Sequence, residues 1–447
     1  MKARFSSADF LTKFFYTENK PNLNKSITLL SDPKDRRYFS KLVMGSLCNY
    51  LLLKWHLNKF LDNKKKIPGF VESNLITAMY QLFFMDQTPS YSILNDTVEI
   101  IKHSKFSGFA NLVNAVLRKI ERESGRNHEW LNNLKNLEGA ERISILYSHP
   151  LWLIKRWIEE FGIENTENYC KFNQLDYPHF IRPNLLKSSA ESLKSFLIKN
   201  EIKFEELDYL EKVFKLPSGI QKVIDSKEWR SGDFIIQDET SILIGKIFAE
   251  GIQGNYADIC AAPGLKTQII YEKIRDSVSG IANDINVDRF SEMKENFINW
   301  EIFNIGLYNS DALTLPSDLS KNFDTILLDA PCSNLGVVSS KPDIRWKRTS
   351  ADIADISKMQ LKLLTAAGEL CREGGNIFYV TCSVEDDETD NVITTFLNLT
   401  DKFKTGDISD YIPELFKDYY NDNKLKILPF SIQKTGFFLV KLIKTRK

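Results

Sequence analysis

Residues 256–267 read YADICAAPGLKT, and this stretch decides how the rest of the chain is read. Its first part, 256–260, is a short apolar run suited to a buried strand. Small residues and Gly264 follow, which let a backbone approach a bound ligand closely. A helix is then predicted over 265–275, with free N–H groups at the carboxyl edge of a sheet. Working outward, further strands are predicted at 280–284, 324–329, 375–381 and 436–442, with helices at 287–299 and 355–372. This alternation predicts a doubly wound, Rossmann-like α/β sheet.

Chemistry-bearing residues fall at the ends of those strands. Asp284 stands 20 positions after Gly264, where an acid can bind ribose hydroxyls. Asp311 follows the extended stretch 305–309, where an acid or its neighbouring backbone can meet an adenine edge. With Asp258 and Asp329, four acids occupy strand ends. A phosphate-binding P-loop is excluded, because Leu265 precedes Lys266 and Cys260 sits where the other Gly belongs. A GxGxxG dinucleotide motif is also missing.

Two cysteines follow neighbouring strands, in DAPCS (329–333) and TCS (381–383). Both Cys332 and Cys382 would emerge beside the cofactor crevice, whereas Cys48, Cys170 and Cys371 read as packing. Thiols suit covalent catalysis, because a few per cent is already thiolate at neutral pH. C5 of cytosine is a target that needs such help. A thiolate adding to C6 pushes electron density onto C5, an acid at N3 assists, and a base later removes the C5 proton. No histidine lies beyond His179, so a Ser-His-Asp or Cys-His hydrolase built wholly within this domain is excluded.

Upstream the texture differs. In the first 145 or so residues, Phe109, Leu112, Val113, Val116, Leu117 and Ile120 repeat with helical spacing. Ile76, Met79, Tyr80 and Phe83 do the same, as do Val43, Leu47, Tyr50 and Leu51, which predicts a helical bundle. Between 146 and 234, helices are predicted at 151–162 and 189–200. Arg182-Pro183-Asn184 reads as extended, and 232–238 as a strand leaving a turn.

The 447 residues are enough for two or three domains, and 43% hydrophobic with 26% charged content is ordinary for a soluble globular protein. No apolar run of 18 residues occurs, and the first residues lack the apolar core of a secretory signal. A cytoplasmic protein without membrane association is expected. The six cysteines show no CxxC and read as free thiols. The five histidines (His56, His103, His128, His149, His179) lie away from most of them, so no metal site is expected. Net charge is zero overall, but residues 1–150 carry 22 Lys and Arg against 14 Asp and Glu, a net +8. The remainder is −8, and a basic front half suggests contact with phosphates.

The α/β half resembles the RNA (cytosine-5) methyltransferases. The resemblance is carried by DICAAPGLKT (258–267), Asp284 with Arg289, Asp311, DAPCSNLGV (329–337), KPDIRW (341–346), YVTCSV (379–384) and GFFLVKL (436–442). It implies that Cys382 is the nucleophile and that Cys332 helps the product leave. It also implies that Asp329 contacts both the base and the cofactor region. Lys266 joins these as a catalytic group. Cys260, Ala261, Ala262, Pro263, Gly264, Leu265, Lys266, Asp284, Arg289, Asp311 and Asp329 would hold S-adenosyl-L-methionine. YSHPLWLIKRW (147–157), Arg182 with Asn184, and IIQDETS (235–241) resemble the RsmB (Sun/Fmu) type, which methylates a cytosine of 16S rRNA. AMYQLFFMD (78–86) and NLVNAVLRKI (111–120) resemble the NusB-type RNA-binding domain found there.

The expected organisation has three parts: an all-α NusB-like bundle (1–145), a small RRM-like α/β middle segment (146–234), and an S-adenosylmethionine-dependent methyltransferase domain (235–447). The expected protein is a monomer acting on 16S rRNA before or during subunit assembly. Other readings are a tRNA or 23S rRNA target, and a non-catalytic RNA-binding or assembly protein. Three positions depart from the family pattern: Leu265 for Gly, Pro183 for Val, and Thr389 for Asn.

Overall fold

A computed structural model describes residues 1–62, 66–86, 88–124, 129–275, 279–315, 319 and 323–446. The chain divides into two compact units. The first is Met1–Gln174 together with Arg345–Lys347; the second is Leu175–Ile344 with Arg348–Lys447.

The first unit is helical. Helix Gly69–Phe84 is its hub, because 13 of its 16 residues are buried and partners therefore surround it. Its buried Gln81 is satisfied by Arg4 Nε at 2.6 Å and the Tyr38 hydroxyl at 2.8 Å. In helix Ala110–Ser124 the expected face is buried at Val113, Val116, Leu117 and Ile120. Leu112 departs from that expectation and is exposed. The face through Val43, Leu47 and Tyr50 crosses a break, for one helix ends at Cys48 and the next begins at Tyr50. His56 stacks on Trp130 and meets Ser124 Oγ at 2.7 Å. Burial, with Lys59 nearby, pushes His56 down to about 4.

Arg345 is fully buried in this unit and donates to the carbonyls of Tyr147 at 3.2 Å, Ser148 at 3.4 Å and Asn173 at 3.0 Å. Beside it, Trp346 donates to the Leu47 carbonyl and packs edge-on to Phe15 and Tyr50. His149 donates from Nδ1 to the Tyr147 carbonyl at 2.7 Å and accepts from Asn173 at 3.1 Å. Burial, then the charge of Arg345, holds it well below the usual imidazole range.

The second unit contains two sheets. Strands β1 (His179–Pro183), β2 (Glu205–Glu206), β3 (Phe214–Leu216) and β4 (Phe234–Ile236) pair antiparallel in the order β2-β3-β1-β4. Their core joins Ile181, Phe214 and Phe234 to Leu193 and Leu197 of helix Ala190–Lys199. The second sheet has β5 (Tyr256–Asp258), β6 (Gly280–Asn283), β7 (Ile305–Tyr308), β8 (Phe323–Asp329) and β9 (Cys371–Thr381), all parallel. β10 (Phe403–Gly406), β11 (Tyr420–Asn421), β12 (Lys424–Ile427) and β13 (Phe437–Lys444) extend it antiparallel. The order is β11-β12-β13-β9-β8-β5-β6-β7, with β10 on β13. From β5 the chain proceeds outward to β6 and β7, then returns to β8 on the other side. That reversal opens a crevice at the carboxyl ends of β5 and β8.

Element ends differ slightly from the sequence reading. β5 stops at Asp258, because Ala261 N–H turns to the Asn283 carbonyl of β6 at 2.8 Å. The long helix runs Ser350–Leu370 and stops short of 372, since Cys371 already pairs with Phe323 of β8. Its start is fixed by a capping box between Thr349 and Asp352. No helix among the described residues is long and apolar enough to cross a membrane.

Candidate active site

The loop after β5 is held from several sides. Gly264 has φ +94°, and a Cβ there would sit 2.4 Å from the Phe297 ring, so this position requires glycine. Asp284, directly after β6, accepts from Ala262 N–H at 3.2 Å and from Asn286 N–H at 2.9 Å. Arg289 lies 3.6 Å from the same Asp284 carboxylate and donates to the Ala262 carbonyl. Asn296 binds the Pro263 carbonyl at 3.0 Å. The predicted residues Ala261, Ala262, Pro263, Gly264, Asp284 and Arg289 are therefore brought together. Asp311 lies past the end of β7, where it caps the turn Ala312–Thr314 through Leu313 N–H at 3.0 Å.

Leu265 is half-buried at the start of helix Leu265–Ile274. Its carbonyl receives Arg182 Nη2 at 3.4 Å, and Arg182 also donates to Gln237 and pairs with Glu272 at 3.6 Å. Asn184 accepts from Gln268 on that helix at 3.0 Å. Asp258 is buried, with one carboxylate oxygen accepting from Thr267 at 2.6 Å and the other unpartnered. Burial pushes its carboxyl up to about 7 against the Thr267 hydrogen bond. Burial and the neighbouring acids Asp258, Asp284 and Asp329 also push the Cys260 thiol well up.

Across the crevice, Lys266 Nζ pairs with Asp329 at 2.6 Å. Burial opposes the ammonium charge, but Asp329, by charge and hydrogen bond, outweighs it and raises Lys266. Cys332 and Cys382 follow β8 and β9, and their sulfurs lie 3.1 Å apart. Cys382 Sγ donates to Asn334 Oδ1 at 2.9 Å, while Asn334 Nδ2 donates to the Cys332 carbonyl at 2.9 Å. Cys332 is buried, and its thiol is pushed well up, first by its hydrogen bond to Cys382 and then by burial. All six cysteines are free thiols.

Several contributors were not singled out in the sequence. Gly336 N–H donates to the Cys382 carbonyl at 3.1 Å, and Gly436 N–H to the Gly336 carbonyl at 2.7 Å. Arg348 donates to the Ser333 carbonyl at 3.0 Å and the Cys332 carbonyl at 3.5 Å. Glu388 is fully buried behind both cysteine turns. The one available signal for it was a serine after each cysteine, because a buried carboxylate needs such donors. Among the described residues, no group of three or more His, Cys, Asp or Glu is arranged to hold a metal ion; His128 lies outside them.

Comparison with known proteins places the chain in a family. Residues 252–443 match the family model described as 16S rRNA methyltransferase RsmB/F. Residues 1–122 match the NusB family, and 149–221 the RsmF/B-like ferredoxin-like domain. The chain is 30% identical to the "Probable ribosomal RNA small subunit methyltransferase B" of Coxiella burnetii, over 84% of this chain and 85% of that one. It is 29% identical to the protein of the same name from Bacillus subtilis, over 93% and 92%. The crystal structure of PH0851 shares the fold with a TM-score of 0.79 at 21% identity, covering 99% of each chain. On these matches the chain belongs to the 16S rRNA methyltransferase RsmB/F family and is an RNA methyltransferase.

Proposed function

We propose that the protein methylates C5 of a cytosine in 16S rRNA, using S-adenosylmethionine and a transient bond between Cys382 and C6 of the base. The observation that carries this reading is the pair of sulfurs 3.1 Å apart at adjacent strand ends, beside the Lys266–Asp329 ion pair. The names of the relatives, small subunit methyltransferase B, support the choice of RNA.

The crevice suits the methyl donor chemically. It offers a glycine-requiring loop, a helix N-terminus, Asp284 and Asp311 at successive strand ends, and the orphaned oxygen of Asp258. Residues 260–266, Asp284, Arg289, Asp311 and Asp329 would hold it. Asp284 and Arg289 act largely through the loop, since both engage Ala262. S-adenosylmethionine supplies an electrophilic methyl group on a sulfonium.

Cys382 adds as thiolate to C6, forming an Sγ–C6 bond and moving electron density to C5. In this reading Asp329, held by Lys266, bonds the base and assists that addition. C5 would take the methyl group as the donor's S–CH3 bond breaks to leave a neutral thioether, and would then give up its proton to a base. The electron pair of the C5–H bond forms the C5–C6 double bond, and the Sγ–C6 bond breaks. Cys332 serves this release. A target base inside a duplex must leave its stack to reach two buried turns, as is usual for enzymes that modify bases. Residues 1–145 serve as an RNA-binding domain, 146–234 assist recognition, and 235–447 carry out transfer.

Bisulfite sequencing of 16S rRNA from cells with and without the gene tests the reading. One protected cytosine is expected to vanish with the gene, and an unchanged map overturns it.

A further inference from the structure

Both cysteine turns converge on one carboxylate. Glu388, fully buried, accepts from Ser333 N–H at 2.7 Å, from the Ser333 hydroxyl, from the Ser383 hydroxyl at 2.6 Å, and from Gln360 at 3.2 Å. Ser333 follows Cys332 and Ser383 follows Cys382, so one side chain spans the two turns. Tyr379 of β9 donates to the Glu388 carbonyl at 2.7 Å. From outside, Lys426 of β12 binds Asp386, and Lys424 binds Asp390 at 2.7 Å, which pins the turn Asp386–Glu388. These four bonds fill the acceptor sites of one buried carboxylate and draw them from both cysteine turns.

The two thiols face different charges. Around Cys332 stand Cys382, the Glu388 carboxylate and the Tyr379 hydroxyl, with Arg348 spent on the Cys332 and Ser333 carbonyls. Around Cys382 stand Cys332, the neutral amide of Asn334, and the Lys266 ammonium backed by Asp329. The Glu388 charge thus raises the Cys332 thiol, while the Lys266 ammonium interacts with Cys382, although the sulfurs lie only 3.1 Å apart.

We propose that Glu388 is a positioning residue: it locks the Cys332 and Cys382 turns together and, opposed by Lys266, decides which of the two thiols attacks. The inference rests on the assignment of Cys382 as nucleophile. Its hydrogen bond to Cys382, burial and the added Glu388 charge together keep the proton on Cys332, which can donate it toward Cys382. Cys382 becomes the thiolate and the proton it loses passes to solvent. Without that asymmetry the two sulfurs would compete for ionisation.

The test is the pH profile of iodoacetamide alkylation at each cysteine, mapped by peptide mass on the full chain. In the wild type the Cys382 midpoint is expected to lie below that of Cys332. In Glu388→Gln the Cys332 midpoint is expected to fall by about one pH unit, a roughly tenfold rise in its reactivity at neutral pH. Lys266→Met is expected to raise the Cys382 midpoint by about one unit and leave Cys332 in place. A Glu388 that only stabilises the fold would lower the melting temperature of Glu388→Gln without moving the gap between midpoints; that result overturns the proposal. Should Glu388→Gln not fold, an unmoved Cys382 midpoint in Lys266→Met overturns it equally. Alkylation needs neither RNA nor a methyl donor, so this test and the bisulfite map fail independently.

Discussion

At Gly336 a Cβ would lie 2.6 Å from the Gly436 carbonyl oxygen and 2.8 Å from that of Cys382, so two backbones press together at the Cys382 turn. The Cys382 turn is thus held by main-chain contacts on one side and by Glu388 on the other. Cys382→Ala is expected to abolish transfer while leaving methyl-donor affinity nearly unchanged, as titration calorimetry can measure. Cys332→Ala should accumulate a protein–RNA adduct, since attack survives and release does not. Absence of that band on a denaturing gel, with the adduct forming in Cys382→Ala, would reverse the two roles. The acids and cysteines were legible in the sequence because strand ends expose them. Glu388 was not, because in VEDDETD a carboxylate among carboxylates reads as solvated surface. Thr389, a departure from the family pattern, is buried and its hydroxyl donates to the Glu385 carbonyl at 2.9 Å, so it caps locally.

Between elements, Asn283 at the end of β6 does the joining. It donates to the Ile259 carbonyl at 3.1 Å and the Ser310 carbonyl at 3.0 Å, and accepts from Ser310 N–H and hydroxyl. One side chain thereby ties the end of β6 to the segments following β5 and β7. Asn283→Ala leaves several buried groups unpaired and should lower stability by about 2–4 kcal/mol in urea denaturation. It should also weaken methyl-donor binding, because the Cys260 and Asp311 segments lose their common brace. The parallel strands were legible as apolar runs bounded by turns. The antiparallel margin was less so: β10, β11 and β12 are only two to four residues long, and their periodicity is too brief to register. The pairing of β13 against β9 is likewise a tertiary choice that its sequence does not specify.

For the whole molecule, His56 and His149 in the first unit and Asp258 in the second should respond to acid in opposite directions. In the first, His56 and His149 are held below their unfolded values, so their stabilisation is complete above about pH 6.5 and is lost as pH falls. In the second, Asp258 is raised to about 7, so its contribution is complete below its unfolded value near 3.8 and is lost as pH climbs toward 7. Lowering pH from 7 to 5 should restore about 2–3 kcal/mol through Asp258 alone. Hydrogen exchange resolved by peptide should show protection falling in Met1–Gln174 and rising around β5, and Asp258→Asn should remove the second effect. The domain order was legible because family motifs cover nearly the whole chain. That Arg345–Lys347 would belong with the helices was not, since three residues carry no periodicity. Their placement has a consequence for modularity. The helical unit is a noncontiguous assembly, and a polypeptide stopped at Gln174 would leave the carbonyls of Tyr147, Ser148 and Asn173 without the guanidinium that saturates them. Exchange of the front half between relatives by a single crossover therefore swaps a lock without its key, and a working chimaera must carry residues 345–347 from the same parent.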